Sequence, residues 1–334
     1  LNAVLQVHSR PSASKFIDEV CWRTYWKGWL ELRPSIWEDY LVELAKDQQR
    51  SEKNIGYIQI IEARSGIPAM DAWTSELIET GYLHNHARMW FASIWIHTLK
   101  LPWTLGAEFF LRHLLDGDVA SNTLSWRWVA GLHTLGKFYL AQKSNICKFT
   151  AGRLEVNIPL ATESALVETG QRIATPKRLP SHDRAIPNGR ICLLIHEEDL
   201  SAVNWLSDGC ELVAVAGLLS SAAYRKYGIE ENVIKFRSDC MHSALPEKAK
   251  VFSCPNKVAE WARLHNLDTV LMAEASVGIC NDVILDLESS LASHKIKIIK
   301  RRHWWDAHFY PAARAGFFNF KKSIPSALVK LKQT

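Results

Sequence analysis

Residues 81–89 read Gly-Tyr-Leu-His-Asn-His-Ala-Arg-Met, and residues 116–128 read Asp-Gly-Asp-Val-Ala-Ser-Asn-Thr-Leu-Ser-Trp-Arg-Trp. Helical side chains three or four apart share a face. Asn85 and Met89 therefore lie on one face with Arg88 beside it, and Asn122 and Trp126 share a face of a second helix. Working outward, the flanking sequence is helical too. Phe16, Val20, Tyr25 and Trp29 form a stripe within 14–49, broken at Pro34 before a second helix at 36–48. Pro68 opens and Gly81 stops a helix at 68–81. An apolar helix at 82–100 ends before Pro102, and further helices cover 103–115 and 119–131. No β pattern interrupts this stretch, so residues 1–150 are expected to be all-α.

The pattern changes after residue 150. Pro159, Pro176, Pro180 and Pro187 mark a linker at 151–189. From 190 onward short apolar runs alternate with helical segments. Ile191–Ile195, Leu212–Ala216, Ala249–Ser253, Thr269–Ala273 and Lys295–Ile299 are expected strands, with helices at Val258–Leu264 and Val283–Ser293. That alternation predicts a parallel sheet covered on both faces, an α/β domain at 190–334. No Gly-x-Gly-x-x-Gly follows the first strand, so the usual dinucleotide fingerprint is missing.

The 334 residues suit two domains, and 48% hydrophobic residues suffice for sizeable cores. No apolar run approaches the ~18 residues of a membrane span, and no secretory signal is visible. The chain begins at Leu1 without a Met, as a fragment would. Seven scattered cysteines without a Cys-x-x-Cys fit reduced thiols in a cytoplasmic protein. The net charge of +5 permits a polyanionic partner without requiring one. Ten of the 14 tryptophans precede residue 130, which fits either an aromatic-rich core or a redox-active, base-stacking region.

Together, Thr80-Gly-Tyr-Leu-His-Asn85, Arg88-Met89 and the 116–128 stretch resemble the FAD-binding helical domain of the DNA photolyase/cryptochrome family. An isolated Asn-x-x-Arg-Met would be an ordinary helix start with a core Met; the flanking residues carry the resemblance. It implies that Arg88 pairs with Asp116 beside an isoalloxazine ring. A buried carboxylate costs several kcal/mol unless paired, so an Asp116 in a helical core needs such a partner. It implies further that Asp118 bonds the flavin's polar edge and that Asn122 faces flavin N5. There a neutral amide avoids repelling an anionic reduced flavin. Trp126 and Trp103 match the first two tryptophans of an electron-supply chain. No tryptophan stands near Arg50, where the third is expected; Trp73, Trp90 and Trp95 are alternatives.

Glu19-Val-Cys-Trp22-Arg23 resembles the family's lesion-binding Glu-x-x-Trp-Arg motif. The resemblance assigns hydrogen bonding of damaged pyrimidines to Glu19, stacking to Trp22 and Trp128, and the remaining contacts to Asn85 and Met89. A flipped dimer needs such an apolar slot with a few aimed polar groups. Relatives that repair (6-4) photoproducts carry His at the positions of Asn85 and Met89, so this set points to cyclobutane dimers. Two departures stand out. Gly131–Tyr139 replaces the family's Thr-Gly-x-Asp and Pro-Tyr-Phe-Arg run, and the fifteen or so residues before Glu19 lack the Ser/Thr-rich segment that holds the FAD phosphates.

The resemblance covers about residues 15–135. The expectation is an all-α FAD-binding domain followed by a Rossmann-like α/β domain, either antenna-like with an unknown antenna chromophore or an unrelated nucleotide-binding-type fold. The expected function is blue-light-driven, FAD-dependent repair of cyclobutane pyrimidine dimers in UV-damaged DNA, without a membrane; the alternative is a cryptochrome-like photoreceptor. The tail, with Lys295, Lys297, Lys300, Arg301, Arg302, Arg314, Lys321 and Lys322 around Trp304 and Trp305, is either a phosphate-contacting or a solvated face. His294, His303 and His308 lack partners at metal-ligand spacing, and no metal is expected.

Overall fold

The computed structural model describes residues 3–4, 11–134, 136–165, 174–181, 187–206 and 209–331. A helical region comes first in the chain and a five-stranded parallel sheet with helices follows. By contacts the chain divides into two compact units. One lies within Ser35–Ala174 and Ile229–Val233; the other within Leu1–Pro34, Thr175–Gly228 and Ile234–Thr334. The first long helix, α1 (Ser14–Glu31), belongs by its contacts to the unit that contains the sheet.

The helical unit is built from α2 (Ser35–Ser51), α3 (Ile55–Ile61), α4 (Pro68–Thr80), α5 (Asn85–Ser93), α6 (Trp103–His113), α7 (Val119–Val129) and α8 (Lys143–Phe149). Pro68 starts α4 at the position where its missing N–H costs nothing. Gly81 ends that helix in the left-handed region at φ +68°, its N–H donating to the Leu77 carbonyl. The expected helix 82–100 is shorter. His84 caps it, and its last turn, Ile94–Thr98, widens into a π turn before Pro102. That turn frees ring positions for His97, whose Nε2 meets the Val129 carbonyl at 3.0 Å and whose Nδ1 accepts from the Ala165 N–H. The acceptor role of Nδ1 fixes the neutral Nε2–H tautomer.

The sheet order is β3-β2-β1-β4-β5, all parallel, with β1 (Ile191–His196), β2 (Leu212–Leu218), β3 (Lys250–Phe252), β4 (Thr269–Ala273) and β5 (Lys297–Arg301). β1 and β4 are buried at every residue, which explains their unbroken apolar sequence. On one face Cys192, Leu194, Val270 and Met272 alternate inward against Val258, Ala259 and Ala262 of α11 (Pro255–Leu264) and Ile284, Leu287 and Leu291 of α12 (Ile279–Ser293). The helices numbered between are α9 (Ser221–Lys226) and α10 (Glu231–Ala244). After β5 come α13 (Trp304–Phe309), α14 (Phe317–Phe320) and α15 (Ile324–Leu331).

Candidate functional site

The two opening motifs meet through the backbone. The Leu115 N–H donates to the Gly81 carbonyl at 2.9 Å, which lays the turn before α7 alongside the start of α5. Space for this exists only because residue 81 is glycine: a Cβ there would stand 2.5 Å from Leu115 Cγ. With the segments so joined, Arg88 Nη2 reaches both oxygens of Asp116, at 3.1 and 3.0 Å. Its Nε donates to the Leu83 carbonyl at 2.8 Å, and the guanidinium lies 5.6 Å from the Tyr82 ring centroid. The Asp116 side chain is 53% exposed and that of Arg88 24%. Asp116 is thus paired but not buried, unlike the carboxylate in a helical core expected from sequence. Such a pair adds about 0–1 kcal/mol to stability. Its consequence is a guanidinium fixed in position at the start of α5, not a stronger fold.

Asp118 and Asn122 belong to α7. Asp118 is its N-cap: one oxygen accepts from the Ala120 N–H at 3.2 Å and the other from the Ser121 hydroxyl. Asn122 is buried and donates its amide nitrogen to the Ala107 carbonyl at 2.7 Å. A carbonyl only accepts, so the amide orientation is set, and Oδ1 is the group left to accept from elsewhere.

Trp126, one turn on, is 2% exposed. Its six-membered ring fills the notch left by Gly106, where a Cβ would come within 2.3 Å. Phe110 and Trp95 meet it edge to face at centroid distances of 5.1 and 6.1 Å. Trp103 is equally buried, against Tyr40 at 5.5 Å and the Arg127 guanidinium at 5.8 Å.

Asn85 is exposed, while Arg88 and Met89 are half-buried, so these three residues share the less buried side of α5 opposite buried Ala87, Trp90 and Phe91. Trp128 is half-buried and stacks on Tyr139 at 6.0 Å. Tyr139 comes from the segment that departs from the family pattern; nothing in the spacing announced this contact. Glu19 and Trp22 sit on α1, in the other unit. Glu19 is exposed. One face of the Trp22 indole is covered by Phe317, nearly parallel at 3.7 Å.

Within the helical unit these features amount to a paired arginine and aspartate, a capping aspartate, a buried amide and two buried tryptophans. Residues 16–150 match the family described as the FAD binding domain of DNA photolyase. Deoxyribodipyrimidine photo-lyase of Streptomyces griseus is 38% identical over 120 residues, 36% of this chain and 26% of that protein. The enzyme of the same name from Escherichia coli K12 is 30% identical over 124 residues, 37% and 26% of the two chains. That of Buchnera aphidicola is 31% identical over 121 residues, 36% and 25%. The chain thus spans about a quarter of the length of the curated relatives it matches. No solved structure matches the chain. Residues 16–150 are thus similar to the FAD binding domain of DNA photolyase. No described helix is long and apolar enough to cross a membrane.

Proposed function

We propose that this chain carries the flavin and lesion sites of a blue-light-driven enzyme that splits cyclobutane pyrimidine dimers in UV-damaged DNA. The observation that carries the reading is the Arg88–Asp116 pair within the matched region, with Asn122 held so that its Oδ1 is the open acceptor. That polarity suits a flavin, whose reduced N5 is a donor. Bound FAD would supply, once reduced and excited, the electron that opens the cyclobutane ring.

The chain's own residues would do the rest. Arg88 and Asp116 hold one edge of the ring system, and Asn122 accepts from it. Asp118 keeps the start of α7 in place from its cap and offers its carboxylate to the polar edge. Trp126 and Trp103 pass electrons inward. Glu19 hydrogen-bonds the dimer, Trp22 and Trp128 stack on it, and Asn85 and Met89 complete the slot. The reading extends to a cytoplasmic location, consistent with seven cysteines outside any disulfide, and to an accessory chromophore associated with the sheet unit.

A cryptochrome-like photoreceptor is the second reading. What favours it is Phe317, which already occupies one face of Trp22. Two measurements decide. Purified protein, reconstituted with FAD, is expected to show flavin bands in the blue; a protein that takes up no FAD refutes the flavin site. Irradiated oligothymidine is expected to lose its dimers under blue light and not in the dark, and Glu19→Ala to slow that loss without changing the flavin bands. Retention of every dimer by fully reduced, illuminated protein refutes repair and leaves the sensor.

A further inference from the structure

The parallel sheet carries a second site, made of residues that the flavin reading leaves unused. From β1 the chain winds outward through β2 and β3, then returns to β4 and β5 on the other side of β1. The crevice at the carboxyl ends of the two strands where this reversal occurs is where parallel sheets bind ligands. A cavity of about 170 Å³ lies there, lined from the ends of β1, β4 and β5 and from α1 and α13.

The charges in this cavity are unbalanced. Its cations are Lys27, Arg301 and Arg302; its acids are Glu31, Glu198, Asp199, Glu274 and Asp306. Lys27 Nζ is bound to Glu198 at 2.6 Å, and Arg302 grips Glu274 with two nitrogens. An Arg301 nitrogen donates to the Leu206 carbonyl. Asp199 accepts from the backbone and hydroxyl of Ser201 and from the Trp205 indole. His303 Nδ1 accepts from the Trp305 N–H, and burial lowers its pKa.

Two carboxyl groups remain. Glu31 accepts one hydrogen bond, from the Val277 N–H at 2.6 Å. Asp306 is half-buried and has no side-chain hydrogen-bond or ion-pair partner among the described residues. Burial pushes Glu31 up to about 7 and Asp306 to about 6. Desolvated carboxyls without counterions favour a proton or an incoming cation. Close packing holds them in place: at Gly28, between Lys27 and Glu31, a Cβ would lie 3.0 Å from the Tyr310 Cα.

We propose that this cavity binds a small organic cation with paired N–H donors, of the guanidinium or amidinium class, on the carboxyl groups of Glu31 and Asp306. Two such donors match carboxylate oxygens in a way a point charge does not. Trp205 and Tyr310 in the lining suit a planar, weakly hydrated cation. An anion is disfavoured because Lys27 and Arg302 are ion-paired, Arg301 donates to the Leu206 carbonyl, and five acids line the same cavity. Among the described residues no three His, Cys, Asp or Glu side chains are grouped to hold a metal ion. Drug-sized ligands occupy roughly 300 Å³ or more. The smaller volume here takes a compact cation or the end group of a longer one, and excludes a flavin-sized ring system.

The test is calorimetric titration of the whole chain with methylguanidinium at pH 7.5 and pH 6, in two buffers of different ionisation heat. Saturable 1:1 binding is expected, with proton release at pH 6 and affinity falling below that by up to about tenfold per pH unit for each carboxyl that must ionise. Asp306→Asn and Glu31→Gln should each weaken binding at least tenfold while keeping the circular dichroism and a thermal midpoint no lower than the parent's, since neither breaks an ion pair and each removes a desolvated charge. Absence of saturable binding overturns the proposal, as does unchanged affinity in a folded Asp306→Asn. Equal affinity for methylammonium overturns the paired-donor assignment, and binding of inorganic phosphate instead identifies an anion site.

Discussion

Gly106→Ala tests whether the Trp126 ring is locked in place. Gly106 lies inside α6, so helix propensity alone favours alanine by about 1 kcal/mol. The added Cβ, however, meets two ring carbons of Trp126 at 2.3 and 2.4 Å. Carbon atoms settle at roughly 3.5–4.0 Å, so the ring or the helix must give by more than an ångström. Trp126 has little room to retreat, with Phe110 and Trp95 against its faces and edges. Overpacking a filled core costs roughly 1–3 kcal/mol, which leaves a net loss of about 0–2 kcal/mol. Trp126→Phe removes the very ring atoms that clash. In that background Gly106→Ala is expected to stabilise by about 1 kcal/mol, giving a coupling of roughly 1–3 kcal/mol across the double-mutant cycle. Urea unfolding followed by far-UV circular dichroism measures all four proteins. The same effect in both backgrounds, with coupling below about 0.5 kcal/mol, refutes a rigid Trp126 and with it a fixed position for the first electron-carrying ring of the proposed function.

Three further outcomes follow from the geometry. Asp118→Ala removes the cap of α7 and is expected to cost about 1 kcal/mol, whereas Asp118→Asn keeps an acceptor and should lose less than half of that; equal losses argue against capping. Gly81→Ala combines a left-handed φ of +68° with a 2.5 Å approach to Leu115, so a loss of roughly 1–3 kcal/mol is expected, and a neutral effect in urea unfolding would show the Gly81–Leu115 junction to be soft. The pH responses contributed by His113 and by the Glu31 and Asp306 carboxyls should run in opposite directions. His113 is pushed down to about 4 by burial and then by Arg112, so between there and its ordinary 6.5 only the unfolded chain takes up its proton. Its stabilisation is complete above pH 6.5 and fades toward pH 4. Glu31 and Asp306 are raised by burial from 4.5 to about 7 and from 3.8 to about 6, so the folded chain holds their protons and their cost grows as pH rises through that window. On acidification from pH 6.5 to 4.5, hydrogen exchange in α6 should quicken relative to a His113→Gln variant, and exchange in β1 and β4 should slow relative to a Glu31→Gln, Asp306→Asn variant, by up to about 1.4 kcal/mol per pH unit for each group. Parallel shifts in both would contradict this.

How far the sequence reaches can be traced residue by residue. Pro68 and Gly81 mark the ends of α4 because their backbone restrictions act locally. Continuous apolar runs reveal β1 and β4 because both faces of those strands are buried. β5 begins two residues later than its pattern implies, since Lys295 takes φ +60° and forms the turn. α10 escapes the pattern: Val233, Ile234 and Met241 are buried but charged and polar residues separate them. At the site, helical spacing correctly groups Asn85, Arg88 and Met89. It says nothing of the Gly81–Leu115 hydrogen bond, the Ala107 carbonyl, or Tyr139 against Trp128, because each depends on a backbone path between elements. Glu31 and Asp306 are out of its reach for the same reason; sheet winding brings them to one cavity.

The bond between Asn122 and Ala107 changes what an amide at this position means. Read from sequence, Asn122 is neutral so as not to repel a reduced flavin. In the fold its nitrogen already serves a buried backbone carbonyl, which costs about 1–3 kcal/mol if left unsatisfied. An aspartate there would turn a carboxylate oxygen toward that carbonyl, and a cysteine lacks a comparable donor. One residue therefore meets two demands, with the donor end tied to α6 and the acceptor end left for a ligand. Asn122→Asp should accordingly lower stability in the absence of any flavin, whereas a defect confined to flavin-loaded protein would show that the ligand alone selects the amide. The neutral Asn122 and the capped Asp118 are then parts of one arrangement: the cap fixes where α7 starts, and one turn later the amide presents its oxygen at a defined place.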